Sequence, residues 1–236
     1  MFTKILRTIN RLSSSNITPY DFSKDELRII KYVEPYTMTS KERIISLIRA
    51  INYISKTKVK GDIVECGVWK GGSMMAAAMT LSKLKDTRRL WLYDTFEGMT
   101  MPDRNDVSSY NNSALKEWDK NKAWCYSSLD EVRKNISMTL YPKQFIKFVQ
   151  GKVEDTIPTN VPEEISILRL DTDWYKSTKH ELQHLFPRIT KGGIIIIDDY
   201  GYWKGAKKAV DEYIKKNNIN IFLSRIDETG RIGVKT

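Results

Sequence analysis

Four aspartates follow two short apolar runs of this 236-residue chain: Asp171 and Asp173 come after Ile165–Leu170, and Asp198 and Asp199 come after Ile194–Ile197. Four carboxylates gathered at neighbouring strand ends repel one another, so something must neutralise them. A divalent cation with oxygen ligands does this, and Mg²⁺ typically combines few carboxylates with water and substrate oxygens. Each aspartate taken alone could instead cap the helix that follows it. An earlier run, Ile63–Cys66, leads into Gly67-Val68-Trp69-Lys70-Gly71-Gly72. Glycines there let the backbone approach a ligand closely. The loop matches neither G-x-G-x-x-G nor a phosphate loop with Gly-Lys-Ser/Thr. A further run, Leu90–Asp94, ends in an acid suited either to ribose hydroxyls or to a turn. Glycine loop and acid together point to a nucleoside-type cofactor.

Two other motifs compete. His180-Glu181-Leu182-Gln183-His184 spells the H-E-x-x-H of zinc proteases. Only two histidines occur in the whole chain, and no glutamate lies between His184 and Glu212, so a third ligand is lacking. We expect surface or edge histidines on a crossover helix that ends at Pro187. Asp171-Thr172-Asp173 also matches the D-x-D of metal-dependent glycosyltransferases, but that reading leaves Asp198, Asp199 and the glycine loop without a shared task.

The elements that must position these residues alternate in type from residue 61 onward. Short apolar runs at Ile63–Cys66, Leu90–Asp94, Phe145–Val149, Ile165–Asp171 and Ile194–Asp198 are separated by helix-period segments at about 72–84, 128–138, 176–186 and 203–216. That alternation specifies βαβ units and a mainly parallel sheet. Four consecutive isoleucines, 194 to 197, read as a strand buried on both faces. Ser128 with Glu131 forms a capping box. Ile221–Ile226 and Arg231–Lys235 flank Glu228-Thr229-Gly230 as a closing hairpin. The stretch 99–127 has no clear period and reads as a lid over the site. Tyr200, Tyr202 and Trp203 either stack on a ligand or pack at the sheet edge. Residues 1–60 form an N-terminal helical extension or cap, and 61–236 the catalytic domain. In the extension, Phe2, Ile5, Leu6, Ile9 and Leu12 make a short basic amphipathic helix. Residues 13–35 read as polar and turn-rich, and a helix starts at Ser40 with Ile44, Leu47, Ile48 and Ile51 on one face.

Composition narrows the class. No run approaches the roughly 20 apolar residues of a membrane span, and the N-terminus lacks a signal-peptide core. Two cysteines, Cys66 and Cys125, give no disulfide framework, so a soluble cytoplasmic protein is expected. The net charge of +10 raises a nucleic-acid methyltransferase as an alternative. The lysines are dispersed, there is no arginine-rich block, and no Asn/Asp-Pro-Pro-Tyr/Phe signature occurs, so no nucleic-acid partner is expected. The N-terminal helix suits a homo-oligomer, as a dimer, and offers at most a weak membrane-surface contact.

Thr37-Met38-Thr39-Ser40, Gly61-Asp62-Ile63-Val64-Glu65-Cys66-Gly67-Val68-Trp69-Lys70-Gly71-Gly72, Tyr93-Asp94-Thr95-Phe96-Glu97-Gly98, Leu170-Asp171-Thr172-Asp173 and Ile197-Asp198-Asp199-Tyr200-Gly201 resemble the macrocin O-methyltransferase (TylF-type) family. Trp124-Cys125-Tyr126 and Gly230-Arg231-Ile232-Gly233 are similar to it as well, so the match runs in order over about 36–236. The resemblance implies a Rossmann-like class I methyltransferase: α/β, with a seven-stranded, mostly parallel sheet, an antiparallel last strand and helices on both faces. It implies transfer of a methyl group from S-adenosylmethionine to a sugar hydroxyl of a glycosylated natural product or surface glycan, with Mg²⁺. By motif position it implies Asp171, Asp198 and Asp199 as metal ligands and Asp173 as general base. Glu65 and Gly67 would lie along the methionine part of the cofactor, with Thr37, Met38 and Ser73 completing that pocket. Asp94 would bind its ribose, and Val153 and Glu154 would flank its adenine.

Overall fold

The computed structural model describes residues 20–118 and 124–236. The expected helix over residues 2–12 lies outside them, as does part of the lid. Seven strands form one sheet: β1 (Asp62–Cys66), β2 (Leu90–Asp94), β3 (Ile146–Gln150), β4 (Ile165–Leu170), β5 (Ile189–Ile197), β6 (Ser224–Arg225) and β7 (Arg231–Val234). Their order is β3-β2-β1-β4-β5-β7-β6. The first five are parallel, and β7 runs antiparallel to β5. This is the sheet that the sequence implied. It reverses order between β1 and β4, where ligand crevices open at the carboxyl ends of strands.

Helices cover both faces. α1 (Lys24–Val33), α2 (Lys41–Lys56), α3 (Gly72–Leu84) and α5 (Leu129–Ser137) lie on one side; α7 (Tyr175–Leu185) and α8 (Lys204–Lys216) lie on the other, and α4 (Ala114–Trp118) and α6 (Val153–Thr156) are short. On the first face Ile44, Leu47, Ile48, Ile51 and Ile54 pack with Ile63, Leu92, Ile167 and Ile196 of the sheet. Val64, Leu168, Ile195, Leu182, Leu185 and Val210 fill the second. Truncating one such isoleucine to alanine costs about 2–5 kcal/mol.

Three boundaries differ from the sequence reading. α1 occupies part of the stretch read as turn-rich: Ser23 and Glu26 make a reciprocal capping box, and Ile29 and Val33 supply a buried stripe. β5 starts five residues earlier than Ile194, because Ile189 already pairs with Ile165 of β4. The closing hairpin forms, but β6 is only two residues long.

Candidate active site

The aspartates converge at the carboxyl ends of β4 and β5. Asp171, Asp173 and Asp199 each present an oxygen, and these atoms all lie within 4.8 Å of one another. Asp173 sits at φ 68°, a left-handed conformation uncommon outside glycine, of a kind that clusters at functional sites. Burial and the neighbouring Asp173 charge push the Asp199 carboxyl well above the usual range. Its Oδ2 is buried without a hydrogen-bond partner among the described residues. Burial, opposed by Arg169 but reinforced by Asp198 and Asp199, raises Asp171 as well.

Asp198 is held by two arginines. Its Oδ2 accepts from Arg43 Nη1 at 2.5 Å and from Thr39 Oγ1 at 2.8 Å, and Arg169 Nη2 lies 2.7 Å away. Burial pushes its carboxyl up, but the two guanidiniums outweigh burial and hold it below the usual range. It shares Arg169 with Asp171, and its Oδ1 is buried without a hydrogen-bond partner among the described residues, as Asp199 Oδ2 is. Asp198 is thus a counter-ion to the arginines beside the Asp171, Asp173 and Asp199 cluster.

Arg169 is the hub of this network. It stands on β4 in register with Glu65 of β1. Nη1 donates to Glu65 Oε1 and lies 2.9 Å from Asp171 Oδ2, while Nη2 also donates to Thr39 Oγ1 at 2.8 Å. Arg43 on α2 adds Asp227 at 2.7 Å and Thr229 at 2.6 Å. Four carboxylates (Glu65, Asp171, Asp198 and Asp227) thus pair with two guanidiniums, and Asp173 and Asp199 stand beside them in the oxygen cluster. This excess of acids over guanidiniums suits a cationic ligand. Sequence reasoning missed Arg43, Arg169, Thr39 and Asp227. The available signal was a lone arginine inside a strand otherwise buried and apolar, two residues before Asp171.

The glycine loop follows β1. A Cβ on Gly67, at φ 83°, would lie 2.1 Å from the carbonyl oxygen of Asp171, so only glycine lets the loop and the β4 end lie together. Asp94 is at the end of β2 as expected. Its Oδ2 accepts from the Val68 and Trp69 backbone N–H groups at 2.8 and 3.0 Å, and its Oδ1 from that of Phe96 at 2.8 Å. The carboxylate thus ties the loop to β2, a structural task beyond the ribose role implied for it. Glu65 is buried, and burial, opposed by Arg169, raises its carboxyl to about 7. Its Oε2 makes no hydrogen bond and has Ser73, in the first turn of α3, for a neighbour. Thr37 packs against Gly72, where an added Cβ would approach the Thr37 Cβ to 2.7 Å. Met38 is exposed. Val153 is buried and Glu154 half-buried at the start of α6, just beyond β3. The implied cofactor residues thus ring the ends of β1, β2 and β3.

The lid segment is bound to the site. Trp124, Trp174 and Trp203 pack edge to face, with centroids 5.0–6.2 Å apart. Trp174 Nε1 donates to the Thr100 carbonyl at 2.9 Å and Trp203 Nε1 to Asp173 Oδ2 at 3.0 Å. Buried Asp106 accepts from the backbone N–H groups of Asp103 and Tyr175. Of the three aromatics read as stacking or packing, Trp203 is buried, Tyr202 packs on it, and Tyr200 donates to Asp211 at 2.7 Å. In the H-E-x-x-H segment Glu181 is fully buried and accepts from Thr172 Oγ1 at 2.9 Å, while the half-buried His180 contacts the Ile157 carbonyl. Among the described residues it contributes to no metal-suited cluster. No described helix is long and apolar enough to cross a membrane.

The model of the macrocin O-methyltransferase family matches residues 12–232. Demethyldecarbamoylnovobiocin O-methyltransferase from Streptomyces niveus is 32% identical over 83% of this chain and 74% of its own. Mycinamicin III 3''-O-methyltransferase from Micromonospora griseorubida is 32% identical over 83% of this chain and 76% of its own. Among solved structures, the O-methyltransferase NovP superposes with a TM-score of 0.77 at 30% identity, covering 85% of this chain and 82% of that one. The calicheamicin methyltransferase CalS11, at 16% identity and a TM-score of 0.63, covers 93% of this chain and 94% of its own and shares the fold.

Proposed function

Since this chain belongs to the macrocin O-methyltransferase family, we propose that it transfers the methyl group of S-adenosylmethionine to a sugar hydroxyl, on a glycosylated small molecule or glycan, with a divalent cation at the ends of β4 and β5. The observation that carries the cation is the cluster of Asp171, Asp173 and Asp199, with an Asp199 Oδ2 buried without a hydrogen-bond partner among the described residues. The donor set is all oxygen, which suits Mg²⁺. The unpartnered Glu65 Oε2 beside the glycine loop fits the ammonium of the cofactor's methionine part in the same way.

Asp171 and Asp199 hold the cation in this reading, which supplies a Lewis acid and a template for vicinal hydroxyls. S-adenosylmethionine supplies a methyl already activated on a sulfonium. The hydroxyl is the poor partner at neutral pH, so its proton must leave as the new bond forms. Asp173, the third member of the cluster and bonded by Trp203, receives that proton at its carboxylate; such a base contributes roughly 10²–10⁴-fold. Glu65, Ser73 and the glycine loop hold the methionine end of the cofactor, and Asp94 keeps that loop in shape. Residues 99–118 and Trp124 exclude water and shape the acceptor side. In-line placement of oxygen, methyl and sulfur supplies much of the remaining advantage.

The test is labelled-methyl transfer to a panel of glycosides, with and without a chelator. The proposal expects activity that Mg²⁺ restores, loss of Mg²⁺ affinity in Asp199→Asn, and a fall of at least about 10²-fold in kcat with Mg²⁺ binding retained in Asp173→Asn. Full turnover in excess chelator would overturn the cation. Unchanged kcat in Asp173→Asn would overturn the base.

A further inference from the structure

We infer that Trp203 is a positioning residue for methyl transfer: its indole N–H fixes Asp173 in the orientation that receives the acceptor's proton. The inference rests on the Asp173 role proposed above. Trp203 Nε1 donates to Asp173 Oδ2 at 3.0 Å, and Trp203 itself is 5% exposed. A hydrogen bond to a charged acceptor, shielded from water, is of the stronger kind. Asp173 needs it. The carboxylate stands beside Asp171 and Asp199, which repel it, and its backbone is in the left-handed region. The indole N–H restrains Oδ2 and with it the orientation of the whole carboxylate.

The donor is itself immobilised from three sides. Its ring lies between Trp174, the residue after Asp173, at 5.0 Å and Trp124 of the lid at 6.2 Å. Its backbone N–H donates to the Asp199 carbonyl at 3.0 Å. Flanking backbone bonds join it to the lid: Ser109 N–H donates to the Tyr202 carbonyl at 2.7 Å and Lys204 N–H to that of Val107 at 2.9 Å. A group whose position is set before the substrate arrives costs no reorganisation during the reaction. Lid residues 107–109 and Trp124 are therefore mechanically continuous with the proton acceptor.

Trp203→Phe keeps an aromatic ring in the box and removes the donor. The expected result is a kcat lower by between about tenfold and about 10²-fold, the scale of a misplacement near the reacting atoms. KM for S-adenosylmethionine and Mg²⁺ affinity should stay within about twofold. The deciding measurement is a double-mutant cycle with Asp173→Asn. If Trp203 acts through Asp173, adding Trp203→Phe to Asp173→Asn changes kcat by less than about twofold. An additive loss, or an unaffected kcat in the single variant, overturns the inference. If Asp173→Asn alone retains full kcat, the base assignment itself has failed, which the same data distinguish. An independent readout uses no Trp203 variant: among the indole N–H resonances of the six tryptophans, that of Trp203 should move in Asp173→Asn. An unmoved Trp203 resonance would also overturn the inference.

Discussion

Glu181→Gln should remove a pH-dependent instability from this fold. Glu181 is fully buried behind the D-T-D turn, and burial raises its carboxyl to about 8, from 4.5 for a free glutamate. Between those two values the folded protein holds a proton that the unfolded chain has released. Stability contributed by this group therefore falls as pH rises, and the loss is complete only above the folded value. From about pH 6 to about pH 8 the decline starts at about 1.4 kcal/mol per unit and halves as the folded group reaches half-ionisation, so the parent should lose on the order of 2 kcal/mol that the variant keeps. Glutamine preserves the shape, and its Oε1 still accepts from Thr172 Oγ1. The assay is urea unfolding of both proteins at the two pH values, with chelator present. Glu65, Asp171 and Asp199 are also raised, so each protein alone will show a slope. The difference between the slopes isolates Glu181. Parallel slopes would refute the reasoning, because they would mean that Glu181 ionises as easily inside the fold as outside it.

Two further substitutions separate structural roles from ligand roles. Asp198→Asn leaves Arg169 and Arg43 without their shared counter-ion, and should cost about 3–5 kcal/mol in urea unfolding while Mg²⁺ affinity stays within a few-fold. Intact stability with lost Mg²⁺ binding would return Asp198 to the cation. Gly67→Ala puts a methyl where the Asp171 carbonyl oxygen stands, 2.1 Å away. It should lower Tm by several degrees, as a loss of about 2 kcal/mol does in a domain of this size, and weaken S-adenosylhomocysteine binding. An alanine variant with unchanged Tm and affinity would show that loop and strand end can part freely.

Much of the architecture was legible because its signals are local. β1, β4 and β5 announce themselves as apolar runs with β-branched residues, β2 as an apolar and aromatic run, and α3, α5, α7 and α8 as the periodic segments between them. The site was legible as a list of acids but not as a geometry. Asp198 and Asp199 are neighbours in the chain, yet Asp198 pairs with the two guanidiniums and Asp199 joins the Asp171 and Asp173 cluster, a division that residue types alone do not reveal. Arg169 carries no motif of its own, and its importance comes from the register that sets it beside Glu65, which no local pattern reveals. The same holds for Trp203, whose aromatic character left stacking on a ligand and packing at the sheet edge both open, whereas its N–H is what reaches the cluster. α1 was hidden by composition: its capping box and two buried positions sit within a polar stretch.

Arg43 and Asp227 are 184 positions apart, yet they meet beside the strand ends that hold the acids. Closing so long a loop is entropically expensive and comes late when a chain folds. Without that contact, Arg169 alone faces Glu65, Asp171 and Asp198. Catalytic competence would then be acquired in the final stage of folding, after the sheet itself has formed.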